Sequence, residues 1–245
     1  MRTIRLYHPD SLTINREVIL LAESQHHLRN VLRAQVGDAV VLFNGDGHDY
    51  LGTLVLLNKH QVIVQIHATE QRSTRSPLKI HLAQGINRGE KMDWVIQKAT
   101  ELGVQEITPL MTEYSNVKLE NERWEKKLHH WQKIADNACE QSGRTDVLMI
   151  YPPITLTSWL TQPKTGLCFL LDPGAQNNLS AQADYQEITL LAGPEGGFSH
   201  TEVTTAQQAG FQTILLGPRI LRSETAGLVA ISICQYLWGD LCGPY

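Results

Sequence analysis

EITLLAGPEGGFSHTE, residues 187–202, is the stretch on which the fold turns. An apolar run ends at Gly193-Pro194, a glycine doublet follows, and a polar segment opens with Ser199. The run over 187–193 reads as a buried strand. Gly196 and Gly197 permit positive φ and present backbone N–H groups with no Cβ in the way. Ser199, with Glu202 three residues on, has the form of a capping box that starts a helix. Strand, turn and helix in this order are the repeating unit of an α/β sheet.

Two neighbouring apolar runs stop in the same way, LLDPG at 170–174 and LGPR at 216–219. In a parallel sheet such strand ends share one edge, where α/β proteins bind their ligands. The loop at 193–202 matches neither GxGxxG nor GxxxxGK[ST], and Glu195 would repel a pyrophosphate. It suits a small polar or zwitterionic ligand held by backbone groups.

Strands are expected at 79–85, 106–112, 146–150, 166–172, 187–193 and 211–217. Met92, Val95, Ile96, Ala99 and Leu102 recur at helical spacing, and Gly103 ends that helix. Trp124, Leu128, Trp131, Ile134 and Ala138 form one face of a long amphipathic helix over 121–143. A further helix starts at Ser199, and the last one, at about 224–237, is apolar on nearly every side. The expected class is α/β with a mostly parallel sheet.

The first 75 residues have another rhythm. β-branched runs at 53–57 and 62–66 follow a Gly/Asp/Asn turn at 44–47, which indicates a small barrel-like domain with antiparallel pairing. Before them, SQHHLRNVLRAQVGD reads as a short helix with Leu28, Val31 and Leu32 on its apolar side. The polar stretch at 69–78 has linker composition, so domains are expected over 1–72 and 73–245.

With 245 residues, 42% hydrophobic and 19% charged, the chain can bury a full core. No run is long enough to span a bilayer, and the N-terminus lacks the apolar core of a signal peptide. Four cysteines without ligand or disulfide spacing indicate a reduced, cytoplasmic protein with no metal. The neighbouring histidines 26/27 and 129/130 point to different helix faces and complete no metal set. No GxSxG elbow is present, and Cys139 has no evident base, so covalent catalysis is unsupported.

The net charge of −4 disfavours indiscriminate binding to a polyanion. Lys and Arg number 8 against 7 acidic residues in 1–75, 10 against 10 in 76–144, and only 3 against 8 in 145–245. Two of those three are Arg219 and Arg222, in LGPRILRSETAG at 216–227. Two arginines outside a helix N-terminus oppose the dipole unless an anion or acid offsets them. Glu224 is the internal partner available, and it accounts for one arginine more easily than for two. Arg29 and Arg33 at i, i+4, Arg88 and Lys91 at the start of a helix, and Arg144 after Gly143 are candidate phosphate contacts, although each alone is also an ordinary solvated charge.

QKATELGV at 97–104, EQSGR at 140–144, LAGPEGGFS at 191–199 and LGPRILRSETA at 216–226 together resemble a known family. It is the bacterial family that methylates N3 of a uridine in 16S ribosomal RNA, within the SPOUT superfamily of knotted S-adenosylmethionine-dependent methyltransferases. The resemblance covers essentially the whole chain, including RLYHP and HLRNVLR near its start. It implies a PUA-like β-barrel that helps bind RNA, an α/β domain ending in a trefoil knot, and a homodimer. It further implies action on 16S RNA in the small ribosomal subunit.

The resemblance places the cofactor pocket at the three loops. These comprise Leu170, Leu171 and Asp172; then Ala192, Gly193, Pro194, Glu195, Gly196 and Gly197; then Leu216, Gly217, Ile220, Leu221, Arg222, Ser223, Thr225 and Ala226. Arg222, Glu224 and Arg219 are the candidates at the methyl-transfer end. Arg29, Arg33, Arg88, Lys91, Lys118 and Arg144 are the candidate RNA contacts. Tyr114 and Ser115 stand where the family commonly carries an Arg-Cys or similar pair, so any role of that pair does not transfer. Two rivals remain at this point: a noncatalytic RNA-binding or assembly factor, and an α/β enzyme acting on a small anionic metabolite.

Overall fold

The computed structural model describes residues 4–72, 74–115, 121–180 and 184–242. They fall into two compact units. One comprises the chain up to Arg75 together with Asp136–Val147, and the other comprises Ser76–Ala135 and the chain from Leu148 onward. Residues 136–147, which the sequence reading leaves in the second domain, thus cluster with the first.

The first unit contains β1 (Ile4–Tyr7), β2 (Glu17–Ile19), α1 (Ala22–His26), a π-helical turn (His27–Leu32), β3 (Ala39–Phe43), β4 (His48–Leu57) and β5 (Val62–Gln71). The sheet order is β1-β3-β4-β5-β2. The pairs among β2 to β5 are antiparallel, as short connections require, while β1 pairs parallel with β3. Period-2 alternation sends Val62, Val64 and Ile66 inward to meet Leu6, Leu28, Leu42 and Leu54.

The helix expected over this region departs from its predicted face. Leu28 is buried, but Val31 is 62% exposed. A π turn holds more residues than an α turn, so the position three beyond Leu28 rotates off the buried side. Arg33 caps the segment in the left-handed region at φ 51°. It therefore does not continue a helical face with Arg29.

The second unit contains β6 (Lys79–Gly85), α2 (Lys91–Glu101), β7 (Glu106–Met111), the start of α3 (Asn121–Ser142), β8 (Met149–Ile150), β9 (Ile154–Thr155), α4 (Leu156–Leu160), β10 (Leu167–Leu171), β11 (Glu187–Ala192), α5 (His200–Gln208), β12 (Gln212–Ile214) and α6 (Ser223–Trp238). All its strands pair parallel, in the order β12-β10-β11-β6-β7-β8, with β9 beside the end of β7. The strands expected at 146–150 and 211–217 prove shorter, at Met149–Ile150 and Gln212–Ile214.

Alternation along β10 feeds two cores. Phe169 and Leu171 join Leu82, Met92, Ile96, Trp131 and Ile231, whereas Cys168 and Leu170 join Ala83, Leu110, Trp159 and Phe211. α6 packs on α2, β6 and β11. Its one buried amide, Gln235, is satisfied: it accepts from Ser76 Oγ at 2.7 Å and donates to Leu102 O at 2.9 Å. The predicted capping box is present at α5, where Ser199 Oγ accepts from Glu202 N and Ser199 N donates to Glu202 Oε2. Among the described residues no helix is long and apolar enough to cross a membrane.

Candidate functional site

Because β10, β11 and β12 are parallel neighbours or next neighbours, their C-terminal ends open on one edge of the sheet. A cavity of about 500 Å³ lies there. All three loops contribute: Leu171, Asp172 and Pro173 after β10; Gly193–Phe198 after β11; Ile220–Glu224 after β12. Val203 of α5, Ala226 of α6 and Lys91 of α2 complete the wall.

Close backbone approach shapes the floor. A Cβ placed on Gly85, the last residue of β6, would lie 2.5 Å from both Pro194 N and Pro194 Cδ. Only glycine lets β6 end against the Gly193-Pro194 turn. Gln84 Nε2 reinforces the turn by donating to Gly193 O at 3.1 Å. Gly217, at φ 80°, supplies the left-handed turn that sends the chain from β12 toward Ile220.

The charged groups form a chain. Lys91 Nζ lies 3.2 Å from Glu195 Oε1 and 3.6 Å from Glu224 Oε2. Burial pushes the Glu195 carboxyl up. The Arg88 backbone N–H at 3.1 Å, its own backbone N–H and Lys91 outweigh that, so it sits below its ordinary value. Burial likewise opposes ionisation of Glu224. Its own backbone N–H at the α6 N-terminus, the Ser223 hydroxyl at 3.1 Å, Lys91 and Arg222 together bring it below the ordinary range. Arg222 makes only a long pair to Glu224, 3.9 Å, and its side chain is 81% exposed. Asp172, Glu195 and Glu224 set three carboxylates against Lys91 and Arg222. A wall of this sign, with apolar Leu171, Phe198, Ile220 and Leu221, suits a ligand carrying positive charge on an apolar body.

Most of the expected pocket residues meet here, namely Leu171, Asp172, Gly193, Pro194, Glu195, Gly196, Gly197, Ile220, Leu221, Arg222, Ser223, Glu224 and Ala226. Others do not line the cavity. Leu170 and Ala192 are buried in the cores, and Leu216 packs against one of them. Arg219 and Thr225 are exposed outside the wall. Gly217 acts through its turn.

The expected RNA contacts divide more sharply. The Arg29 guanidinium donates to the carbonyls of Gln25, Asn58 and Lys59 and to Gln25 Oε1, at 2.8 to 3.1 Å, so it is spent on clamping its own unit. Arg144 is 4% exposed and holds Asp146 at 2.6 Å, which corrects its reading as a surface contact. Lys91 faces the cavity carboxylates. Arg33 and Arg88 remain exposed. Lys118 lies outside the described residues.

Ser115 closes the turn after β7, its Oγ 3.1 Å from Thr112 N and 2.8 Å from Thr112 Oγ1. Tyr114 backs Gly196, whose added Cβ would meet Tyr114 Cβ at 2.7 Å. The sequence reading missed Pro173, Phe198, Val203 and the cavity role of Lys91. Lys91 carried a usable signal: it begins the helix after β6, a strand ending on the same edge.

Comparison with known proteins agrees with this geometry. Residues 74–235 match the RNA methyltransferase domain family, and residues 20–66 match the RNA methyltransferase PUA domain family. A ribosomal RNA small subunit methyltransferase E from Buchnera aphidicola (Schizaphis graminum) is 36% identical, with 98% of each chain covered. The Bacillus subtilis protein of that name is 31% identical over 89% of each. The structure of the Neisseria gonorrhoeae methyltransferase E bound to S-adenosyl methionine superposes with a TM-score of 0.90 at 37% identity, covering 98% of this chain and 100% of that one. A methyltransferase structure from Legionella pneumophila in complex with SAM gives a TM-score of 0.94 at 39% identity, with coverage of 98% and 100%.

Proposed function

The chain belongs to the ribosomal RNA small subunit methyltransferase E family, and on that premise we propose that it methylates N3 of a specific uridine in 16S ribosomal RNA. S-adenosylmethionine is the donor in this reading. One observation carries it: three strand-end loops enclose an acidic, partly apolar cavity with the exposed guanidinium of Arg222 at its wall. The residues present fit a sulfonium cofactor. Carboxylates complement its positive charge, Leu171, Ile220 and Leu221 offer apolar contact, and the glycine loop leaves backbone groups accessible.

The bound cofactor supplies an electrophilic methyl group on sulfonium sulfur. The protein's task is to align uridine N3 with that carbon and to favour loss of the N3 proton to solvent water. As the N3–H bond breaks, charge develops on O2 and O4, where Arg222 is free to donate hydrogen bonds. Glu224 is poorly suited as the proton acceptor, because its surroundings hold it below the ordinary carboxylate range. It serves as a positioning residue, tying Lys91 to the α6 N-terminus. Arg219, exposed three residues before Arg222, is a second donor for the incoming RNA.

The same reading takes 1–72 as a PUA-like RNA-binding domain and 73–245 as the SPOUT methyltransferase domain; the separate family matches at 20–66 and 74–235 support it. A knotted C-terminus is supported by the path of the chain, since α6 leaves the edge strand β12 yet packs on β6 and β11 inside the sheet. Exposed Tyr236 on α6 and Leu241 just after it, at 60% and 43%, support a homodimer formed partly through α6.

The decisive experiment supplies radiolabelled methyl donor with unmodified small-subunit RNA, free or assembled, and analyses the nucleosides. Label in 3-methyluridine, with a preference for the assembled subunit, is the expected result. Label in another nucleoside, or none in either substrate, would overturn the reading.

A further inference from the structure

A second cavity, of about 440 Å³, lies between the loop after β6 and the outer face of α3. Asn87, Arg88 and Gly89 form one wall, and Arg123, Lys126, Lys127 and His130 form the other. The helix residues are spaced i, i+3, i+4 and i+7, so four basic or ionisable side chains stand on one face. Arg88, Arg123 and Lys126 form no ion pair with any described carboxylate. Asp93, the neighbouring acid, is already engaged by His130 Nε2 at 2.8 Å and Trp131 Nε1 at 3.1 Å. Lys127 lies over the Trp131 ring, 5.5 Å from its centroid.

The second observation is Asn87 itself. It is 1% exposed, and neither its Nδ2 nor its Oδ1 has a hydrogen-bond partner among the described residues. Native proteins rarely bury an amide with both ends unmet, because the desolvation cost is not recovered. An apolar residue of this size would fill the position without that cost. A fully deprotonated oxyanion would satisfy only the donor end, since Oδ1 needs a donor in return. A ribonucleotide backbone supplies both partners, a phosphate oxygen for Nδ2 and the adjacent ribose 2′-hydroxyl for Oδ1.

We propose that this cavity binds one phosphate of the RNA substrate together with the neighbouring ribose 2′-hydroxyl, Asn87 reading both groups while Arg88, Arg123 and Lys126 supply the charge. The inference rests on the reading of the chain as an RNA methyltransferase. It adds a positioning site outside the cofactor cavity, of which the sequence signals Arg88 but not Asn87, a lone amide in a loop.

The test measures binding of the full chain to small-subunit RNA by filter retention across a salt series, which requires no methyl transfer. Arg123→Gln with Lys126→Gln is expected to weaken binding about tenfold and to reduce the salt slope by about one, the share of a single phosphate. S-adenosylmethionine affinity should be unchanged. Asn87→Leu is expected to weaken RNA binding yet raise the melting temperature of the RNA-free protein, because it removes an unmet buried amide.

An unaltered salt slope in the double variant would overturn the proposal. So would a lowered melting temperature for Asn87→Leu, since Asn87 would then be paired within the fold. Inorganic phosphate titrated at constant ionic strength separates the two sources of anion. If the double variant loses phosphate binding while its RNA affinity stays intact, the cavity is a free-anion site and the RNA assignment fails. RNA bound through this cavity without any methyl transfer would sustain this inference and sink the proposed activity instead.

Discussion

Arg222 and Glu224 share one loop but not one environment. Glu224 is half-buried and held by Ser223 and Lys91, whereas Arg222 is exposed with only a 3.9 Å pair. Arg222→Ala is therefore expected to slow single-turnover methylation by about 10²-fold, the usual cost of losing a donor to a developing oxyanion, while cofactor affinity changes far less. Unchanged single-turnover rates at saturating RNA would end that assignment. A carboxylate in the first unit, Glu140, is shifted in the opposite direction from Glu224. Burial, with the neighbouring Asp136 charge, raises Glu140 from 4.5 to about 7 against the Tyr7 N–H at 2.9 Å and the Arg5 guanidinium. A carboxyl with a raised folded-state value contributes its stability below the unfolded value and loses it as pH rises toward 7. Glu140→Gln should then gain about 1–3 kcal/mol over the parent at pH 8 and almost nothing near pH 4. Urea unfolding at both pH values checks this, and equal gains would refute it.

Elements were legible where periodicity and end signals agreed. The spacing of Met92, Val95, Ile96 and Ala99 places α2, and all four are buried. The Ser199/Glu202 pair marks the start of α5, and its second carboxylate oxygen also accepts from Glu113 N at 2.8 Å, tying β7's exit to that helix. The segment after β2 was not legible, because a π turn changes the period on which the apolar face was counted. The close contact between β6 and the Gly193-Pro194 turn was also hidden. Gly85 ends an ordinary apolar strand, and nothing local says that another backbone lies against it. Gly85→Ala is expected to displace that turn and to weaken S-adenosylmethionine binding at least about tenfold, since a 2.5 Å contact with backbone cannot be absorbed by a rotamer change. Calorimetry with S-adenosylhomocysteine reads the effect, and wild-type affinity would show that the loop tolerates the shift.

At the scale of the whole molecule, the end of α6 and the turn after it leave Tyr236 and Leu241 exposed at 60% and 43%. Sedimentation is expected to show a dimer that Tyr236→Asp shifts toward monomer; a monomer at all micromolar concentrations would dismiss the interface. The sequence alone determined the alternation of strands and helices, the three strand ends that carry the cavity and the family to which the chain belongs. Those features are local, written in apolar period, turn residues and short motifs. Tertiary structure alone decided which charges stay available. Arg29, Arg33, Arg88, Lys91 and Arg144 look alike as letters, yet one clamps backbone carbonyls, one is buried on Asp146, one bridges two cavity carboxylates, and two remain exposed. The physical reason is that a guanidinium or ammonium group is defined by the partners within about 4 Å, and those partners come from distant parts of the chain.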